Sequence, residues 1–469
     1  MRFAVRLPAL LAAAALVAAA PPPADPLAVV AAANGHAATV HVRATAAGTY
    51  EGRPVRVTLD QLGSTRLLRR CVAEVCAGSW FDGTRRWTFG LNDVLFPDDD
   101  DPLLPQRRTL AAIASYAFAE PAFRAAGGTV VAAGANVWQV RAPDGVTLTA
   151  HLDPATHALR RVANENGDTV TAYGRDALAG GARFALRQAG LDAAVTDEAT
   201  AVGGPVAPPA GPDVTFSGDG ALALSADPVP IVPCTVGGRV VRCLIDTGAT
   251  PSAMTVRLAD TLGLEARGEL EIAAFGTFAT GFVEAGPLVL GAARFDRARF
   301  AVVAGTSAAH FDVVIGADLL RRVRVVLDRG RGAARIVPSG AGAAPGTGVV
   351  PIAFHGGIPV VEAALSGEAE QSALLDTGDQ SVVSFGYAAY RNGTQWPVVG
   401  RGQAVGMGAS AEDAFTVELP NLRIGRLATG PTRATVRRTQ VMPHVGIGLW
   451  DRLIVEVDEG AAQVVFRPR

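Results

Sequence analysis

The sequence predicts a mostly β protein in which two similar halves follow a separate β-rich domain. Three features carry this prediction: an Asp-Thr-Gly motif that occurs twice, matching signals downstream of each copy, and alternating apolar and polar segments earlier in the chain. Alternation and short apolar runs are typical of strands, and a pattern that recurs with the same internal spacing indicates duplicated units. The length of 469 residues is sufficient for several domains.

Composition narrows the classes of protein to which the chain can belong. Hydrophobic residues make up 49% of the chain and charged residues 18%, which favours folded domains over disorder. The formal net charge is −2, and no run of basic residues is interleaved with aromatic residues. We therefore expect no nucleic-acid partner.

Residues 1–20 predict a secretory signal peptide. Arg2 and Arg6 precede an apolar stretch that is too short to span a bilayer, and three alanines precede Pro21. No later apolar run is long enough to cross a membrane. We therefore expect a periplasmic or secreted protein without a membrane span.

Residues 34–200 predict the separate β-rich domain. Alternating segments lie at residues 38–44, 55–59 and 146–152. Residues 109–120 predict a helix that Pro121 ends. This order is similar to that of periplasmic lipoprotein-carrier half-barrels, and an unspecified β-rich domain fits it as well. Residues 201–225 include a stretch rich in glycine, proline and alanine, which predicts an interdomain linker.

The four cysteines predict two local disulfide bonds. Cys71 and Cys76 are close in sequence, and so are Cys234 and Cys243, which flank a Gly-Gly turn signal. A turn at residues 238–239 would place Cys234 opposite Cys243. In an oxidising compartment we favour these two bridges over free thiols.

No metal site or cofactor is predicted. The seven histidines are scattered without ligand spacing. The four aspartates at residues 98–101 lack the alternating spacing of a calcium loop and predict a solvated loop instead.

The repeated motif occupies residues 242–250 and residues 372–380. Each copy is a short apolar run that breaks into Asp-Thr-Gly. The run predicts a buried strand, and the carboxylate at its end must lie at a loop tip or in a polar network because an unpaired buried charge is unfavourable. The glycine that follows allows close approach of another group.

Matching signals follow each copy. Gly276, preceded by Phe275, lies at the same offset from the first motif as Gly406, Met407 and Gly408 lie from the second. Farther on, residues 313–316 read Val-Val-Ile-Gly and residues 445–448 read Val-Gly-Ile-Gly. Two pairs of closing strands are predicted at residues 325–328 and 335–337, and at residues 454–458 and 464–466. The second part of the chain is therefore an internal duplication.

The two halves resemble retropepsin-like aspartic proteases, in the bacterial form in which two such units are fused in one chain. The resemblance covers about residues 226–469. It implies two acid-protease half-barrels related by a pseudo-twofold axis, with the first half at residues 226–339, a linker at 340–350 and the second half at 351–469.

The resemblance also implies the roles of the motif residues. Asp246 and Asp376 would be the catalytic pair, in which two adjacent carboxyl groups share one proton and serve as base and acid towards a water molecule. Thr247 and Thr377 would tie the two loops together, and the glycines after them, Gly248 and Gly378, would let the loops pack closely.

Further implications concern the substrate. Phe275, Gly276, Gly406, Met407 and Gly408 are the flap candidates, which would close over an extended peptide and hold it by main-chain hydrogen bonds. The implied partner is a peptide or protein substrate, with no cofactor. Because both aspartates lie in one chain, we expect a monomer with an intramolecular active site that acts as an endopeptidase.

Two departures from the family pattern leave alternatives open. Asp379 follows the second motif where the family has a small residue, and Gly446 replaces the first apolar residue of the second apolar-apolar-Gly pattern. One alternative is a catalytically inactive binding or scaffolding protein of the periplasm with the acid-protease fold. Another is an enzyme held inactive until the N-terminal domain moves away or the linker is cut.

Overall fold

The structure is a computed structural model, and it describes residues 25–34, 41–50, 52–99, 102–173, 185–188, 191–195, 200–274, 276–304, 310–340, 348–406 and 411–468. The signal-peptide prediction lies outside these residues. Strands in four sheets make up most of the described chain, so the prediction of a mostly β protein is confirmed. No helix among the described residues has both the length and the apolar character that crossing a membrane requires.

The first part of the described chain forms one antiparallel sheet with a helical insertion. Its helices are α1 (Pro26–Asn34), α2 (Leu104–Ala114) and α3 (Pro121–Ala125). Its strands are β1 (His41–Tyr50), β2 (Arg53–Leu62), β3 (Thr65–Val72), β4 (Val75–Phe81), β5 (Arg86–Phe89), β6 (Phe96–Pro97), β7 (Thr129–Gly134), β8 (Val137–Arg141), β9 (Leu148–Leu152), β10 (Leu159–Ala163), β11 (Thr169–Tyr173), β12 (Ala185–Gln188), β13 (Leu191–Val195) and β14 (Thr200–Val202). The strand order is β6-β5-β4-β3-β2-β1-β13-β12-β11-β10-β9-β8-β7, and β14 pairs with β1.

The helical insertion differs from the sequence prediction of one helix over residues 109–120. Helix α2 begins at Leu104 because Pro105, in its first turn, has a backbone angle already suited to a helix. It ends at Ala114, and Tyr116 then adopts a left-handed backbone angle of 59° before a short 3-10 turn. Pro121 does not end a helix; it opens α3.

The region around the first motif forms a second sheet. It contains α4 (Val256–Thr261) and α5 (Ala317–Leu320). Its strands are β15 (Val214–Phe216), β17 (Ile231–Val236), β18 (Arg239–Ile245), β19 (Ala253–Thr255), β20 (Arg267–Ala274), β21 (Gly276–Ala285), β22 (Leu288–Leu290), β23 (Ala293–Phe295), β24 (Ala298–Val303) and β25 (Val313–Ile315). The order is β15-β23-β22-β17-β18-β25-β19-β24-β21-β20.

The region around the second motif forms a third sheet of the same design. It contains α6 (Tyr387–Asn392). Its strands are β29 (Ala353–His355), β30 (Ile358–Leu365), β31 (Gln371–Asp376), β32 (Val383–Gly386), β33 (Val398–Ala404), β34 (Glu412–Leu419), β35 (Leu422–Ile424), β36 (Leu427–Ala428), β37 (Thr432–Arg437) and β38 (His444–Gly446). The inner order β30-β31-β38-β32-β37-β34-β33 matches β17-β18-β25-β19-β24-β21-β20 strand for strand.

A fourth sheet joins the two motif regions. Its strands are β16 (Ala221–Ala223), β26 (Val323–Asp328), β27 (Ala333–Pro338), β28 (Val349–Pro351), β39 (Leu453–Asp458) and β40 (Gln463–Pro468), in the order β16-β27-β26-β39-β40-β28. The central pair, β26 and β39, is antiparallel and contributes one strand from each region. One apolar cluster runs through both regions and includes the fully buried rings of Phe295, Phe354 and Trp450.

The stretch predicted as a linker, residues 201–225, carries strands. Strand β15 adds to the edge of the second sheet by pairing with β23, and β16 adds to the fourth sheet by pairing with β27. Glycine and proline interrupt these strands often enough that the sequence pattern did not reveal them.

The N-terminal sheet contacts both motif regions through residues 91–97. The amide of Asn92 is buried and donates to Asp318 Oδ2 at 2.7 Å and to the carbonyl of Arg299 at 2.9 Å. Phe96 packs on Phe354 with ring centroids 5.7 Å apart. The β-rich domain is therefore attached to the rest of the chain by buried polar and aromatic contacts.

The cysteines are paired as the sequence favoured, Cys71 with Cys76 and Cys234 with Cys243. The turn between β17 and β18 is at Gly237 and Gly238, whose φ angles are 56° and 80°, and not at residues 238–239. This two-residue turn with positive φ angles suits a tight hairpin. As a result, Cys234 lies opposite Val241, and the bridge joins diagonal neighbours with Cα atoms 5.9 Å apart.

A buried carboxyl group, Glu459, lies at the end of the fourth sheet. Glu459 is 1% exposed, and neither of its carboxyl oxygens has a hydrogen-bond partner among the described residues. Burial raises the pKa of Glu459 well above its ordinary value; the charge of Arg321 opposes this, and the charges of Asp318 and Asp458 add to it.

We expect Glu459→Gln to remove a pH dependence of stability. Because the folded-state pKa is raised, the contribution of Glu459 is fully present below its unfolded pKa and declines as the pH rises through the folded pKa. Denaturant unfolding should give similar free energies for the variant and the wild type in acid, and a higher value for the variant at neutral pH. Glu265→Gln, at an exposed position, is the control and should leave the free energy of unfolding unchanged both in acid and at neutral pH. Identical pH profiles for wild type and Glu459→Gln would contradict this account.

Candidate active site

The two aspartates stand at the ends of two central strands. Asp246 directly follows β18, and Asp376 is the last residue of β31. Each strand lies beside a parallel neighbour, β25 for the first and β38 for the second. Asp246 also donates its main-chain N–H to the carbonyl of Ile315 on β25 at 3.0 Å. The apolar run before each aspartate is therefore a strand in the interior of its sheet, as the sequence predicted.

The threonines of the two motifs form a reciprocal hydrogen-bond network. The N–H of Thr247 donates to Thr377 Oγ1 at 3.0 Å, and the N–H of Thr377 donates to Thr247 Oγ1 at 3.1 Å. Each hydroxyl then donates to a carbonyl of the opposite loop, Thr247 to Leu375 and Thr377 to Ile245. Both residues are at most 1% exposed. This network fixes the two loops against each other.

The motif glycines leave room for the opposite carboxyl group. A Cβ atom on Gly248 would lie 2.5 Å from the carboxyl carbon of Asp376, and a Cβ on Gly378 would lie 2.7 Å from Asp246 Oδ2. Contacts this short do not occur, so any side chain here would push the loops apart. Each glycine also donates its N–H to the Oδ1 of its own aspartate, at 3.0 Å and 2.9 Å respectively.

The two carboxyl groups interact directly and titrate together. Burial raises the pKa of Asp246 well above its ordinary value, and the charge of Asp376 and the hydrogen bond shared with it raise it further. Burial acts to raise the pKa of Asp376 too, but the contact with His444 and its positive charge outweigh burial and hold that pKa below its ordinary value. The N–H groups of Gly378 and Asp379 act in the same direction. The opposite directions of the two pKa shifts favour a state in which the pair shares one proton.

His444 is the site residue that the sequence interpretation missed. Its Nδ1 lies 3.0 Å from Asp376 Oδ2, but not at the angle of a hydrogen bond, so we treat the contact as an ion pair. It was missed because the second apolar-apolar-Gly pattern was placed two residues too far along the chain.

Strand pairing gives the correct register for that pattern. Ile315 pairs with the residue before Asp246, and Val445 pairs with the residue before Asp376. Gly446 is therefore the counterpart of Gly316, and both glycines have nearly identical backbone angles. The interpretation of Gly446 as a departure from the apolar-apolar-Gly pattern was therefore wrong. Equal spacing from each aspartate would have matched His444-Val445-Gly446 with Val314-Ile315-Gly316.

Asp379 lies beside the pair but is held by serines. Its N–H donates to Asp376 Oδ1 at 3.1 Å. Its own Oδ1 accepts from the N–H and hydroxyl of Ser381 at 2.9 and 2.7 Å, and its Oδ2 accepts from Ser384 Oγ at 2.6 Å. Asp379 is therefore neither solvent-directed nor free to take a proton from substrate water.

Within the described part of the chain, Asp376, Asp379 and His444 also bring three potential metal-ligand atoms within 4.8 Å of one another. The oxygens of Asp379 already accept three hydrogen bonds from Ser381 and Ser384, so they are poorly placed to serve as ligands. Elsewhere, Asp98 and Asp99 of the aspartate run pair with Arg86 and Arg85.

Two hairpins correspond to the flap candidates. Strands β20 and β21 pair up to Ala274 and Gly276, and β33 and β34 pair up to Ala404 and Glu412. Gly406 lies two residues after Ala404, the last residue of β33. Phe275, Met407 and Gly408 lie outside the described residues, so the flap assignment of these three remains a prediction.

A cavity of about 780 Å³ lies on the N-terminal sheet. Residues of β1, β2 and β3 line it, including Arg43, Arg56 and Arg69. It involves neither aspartate and is not part of the candidate active site.

Comparison with protein families matches residues 232–319 to a family described as aspartyl protease. The matched stretch contains Asp246, Thr247 and Gly248 and extends through β25 into α5. Comparison with curated proteins gives no significant match. The chain thus carries an aspartyl protease-like domain, and the matched stretch contains the first of its two motifs.

Proposed function

We propose that this protein is an exported aspartic endopeptidase whose active site lies between two retropepsin-like halves of one chain, at residues 226–339 and 351–469. The observation that carries the proposal is the close approach of the two motif loops: the carboxyl groups of Asp246 and Asp376 each lie against the glycine of the opposite motif, and reciprocal hydrogen bonds of Thr247 and Thr377 hold the loops together. The two disulfide bonds support an oxidising compartment.

The proposed chemistry needs one proton between two carboxyl groups. In the singly protonated state, the carboxylate takes a proton from water while the carboxylic acid protonates the carbonyl oxygen of the peptide. The raised pKa of Asp246 and the lowered pKa of Asp376 widen the pH range in which this state is populated. The hairpins β20–β21 and β33–β34 would close over the extended substrate.

A binding or scaffolding protein is the competing function, and Asp379 is the observation that favours it. A third carboxylate near the pair adds negative charge that opposes ionisation of a neighbouring acid. The hydrogen bonds from Ser381 and Ser384 and the proximity of His444 offset that charge, so we prefer the enzyme.

A latent enzyme is a variant of the main proposal. The turn between β3 and β4 of the N-terminal sheet touches the outer strand of the first flap hairpin: a Cβ on Gly268 would lie 2.6 Å from the carbonyl oxygen of Ala73. Arg53 pairs with Glu269 of the same strand at 3.2 Å. These contacts would restrain the hairpin until the N-terminal sheet is displaced.

The test is hydrolysis of an unstructured protein by the chain without residues 1–20. We expect new peptide termini, identified by mass spectrometry, in acidic buffer, and their suppression by a pepstatin-type mimic whose hydroxyl occupies the place of the attacking water. Cleavage that appears only after a cut within residues 201–225 would favour the latent form. Binding of the mimic without any cleavage, before or after that cut, would favour the scaffolding protein.

A further inference from the structure

The two motif regions differ in a coordinated way at three corresponding positions. Strand pairing sets Ala253 opposite Val314 in the first region and Ser384 opposite His444 in the second. The third position is the residue directly after Asp-Thr-Gly, which is Ala249 in the first region and Asp379 in the second. In both regions its carbonyl accepts a hydrogen bond from the N–H of the residue that follows Gly316 or Gly446. The corresponding sets are Ala249, Ala253 and Val314 in the first region, and Asp379, Ser384 and His444 in the second.

In the first region the three side chains belong to an apolar cluster. Ala253 and Val314 are buried, and Ala249 packs against them. Thus, no charged side chain occupies these positions near Asp246. Burial without a compensating cation favours the protonated form of a carboxyl group.

In the second region the same three positions form a polar cluster. Ser384 Oγ donates to Asp379 Oδ2 at 2.6 Å, and His444 Nδ1 lies 3.8 Å from the same oxygen and 3.0 Å from Asp376 Oδ2. The side chains of His444 and Asp379 are 19% and 15% exposed, so their charges are only partly screened by water. A protonated imidazole this close favours the ionised form of Asp376.

Among the described residues, the charged groups that face Asp376 come from three elements. His444 lies on β38, Asp379 lies in the loop after β31, and Asp246 comes from the first motif. The adjacent strand β32 contributes the uncharged hydroxyl of Ser384. Asp379 lies between Ser384 and His444 and so attracts the imidazolium to the edge of the pair.

We propose that His444 is a positioning residue that fixes the negative charge of the pair on Asp376, so that Asp376 is the base and Asp246 is the acid in the first step of hydrolysis. Asp379 and Ser384 hold the imidazole in place. This inference rests on the proposed endopeptidase function and adds an asymmetry that the duplicated motif does not contain.

The step balances in atoms and charge. Water gives one proton to the carboxylate of Asp376, its oxygen bonds to the carbonyl carbon, and the carbonyl oxygen takes the proton of Asp246. The product is a neutral gem-diol, and the pair keeps a charge of −1, now on Asp246. In the second step the amide nitrogen takes the proton from Asp376, the C–N bond breaks, and a hydroxyl of the diol returns its proton to Asp246.

The chain supplies its own matched variant. His444→Val gives the second region the residue that the first region has at Val314. His444→Gln keeps a polar side chain without the positive charge. We expect both variants to retain kcat/KM at the optimum within about tenfold, and to lose about tenfold or more on the acid side of the wild-type profile, because Asp376 then takes up a proton at higher pH. The alkaline side, governed by Asp246, should move less.

Three controls separate the charge from other roles of the side chain. Val314→Ile, on the corresponding strand, should leave the acid side of the profile in place. Thermal unfolding and stoichiometric binding of the pepstatin-type mimic should show that each variant folds with its site intact. If His444→Gln showed the same acid side of the pH profile as the wild type, the side chain would act through hydrogen bonding. That result would overturn the charge proposal.

The outcomes separate this inference from the function on which it rests. A wild-type chain that cleaves nothing, before or after a cut within residues 201–225, contradicts the endopeptidase function itself. A wild type that cleaves, with His444→Val following the same pH profile, overturns the role of His444 alone. Activity lost on chelation and restored by a divalent cation would also overturn it, because the cluster would then act as a ligand set.

Discussion

Asp246→Asn and Asp376→Asn are each expected to reduce kcat/KM for an unstructured protein substrate by about 100- to 10,000-fold. Asparagine has the shape of aspartate but neither accepts nor releases a proton at these pH values, so each change removes one partner of the proton pair. Steady-state rates, followed by the appearance of new amino termini, provide the measurement.

The loss should be catalytic and not structural. Asp246 is buried and its pKa is raised, so burial disfavours its ionised form, and Asp246→Asn should not lower the melting temperature. Asp376 is partly buried and its pKa is lowered by the contact with His444, so Asp376→Asn should lower the melting temperature modestly at neutral pH while the protein stays folded. Asp260→Asn on α4, an exposed position, is the matched control and should keep wild-type activity. Wild-type rates in either active-site variant would contradict the assignment of Asp246 and Asp376 as the catalytic pair.

Thr247→Val and Thr377→Val are expected to give the largest loss of stability in this region. Valine keeps the shape of threonine but removes a hydroxyl that both accepts and donates a hydrogen bond across the interface between the loops. Each change leaves one buried N–H and one buried carbonyl without a partner, at about 1–3 kcal/mol for each group. The free energy of unfolding from denaturant titration tests this directly.

Two further variants make the threonine prediction specific. Thr247→Ser retains the hydroxyl and should recover most of the lost stability. Thr261→Val removes a hydroxyl that donates to the carbonyl of Arg257 on the exposed face of α4, and should change stability by about 0.5 kcal/mol or less. A loss at Thr247→Val no larger than that at Thr261→Val would mean that the network contributes little.

Local sequence signals gave the positions of the two aspartates and their strands. An apolar run followed by Asp-Thr-Gly has few structural solutions, because the strand must be buried and its carboxylate must find partners. The same reasoning gave the disulfide partners, since two close cysteines on a hairpin can meet in more than one register. It failed for the register itself, where Gly237 and Gly238 form the turn.

Features that depend on long-range pairing were missed in the interpretation of the sequence. His444 lies 68 positions after Asp376 in the chain, and only the parallel pairing of β31 with β38 brings it to the carboxylate. The strands β15 and β16 are short, and each is a strand only because a sheet edge accepts it. Asn92 is polar and unremarkable in sequence, yet it is buried against Asp318.

The most direct test of the central claim is the rate of an equimolar mixture of Asp246→Asn and Asp376→Asn beside the wild type. If both aspartates of one chain form the site, the wild-type rate is proportional to enzyme concentration and the mixture is as inactive as either variant alone. If the site instead forms between two chains, the mixture regains activity, because one partner supplies an intact Asp246 and the other an intact Asp376. Recovered activity in the mixture would contradict the intramolecular pair.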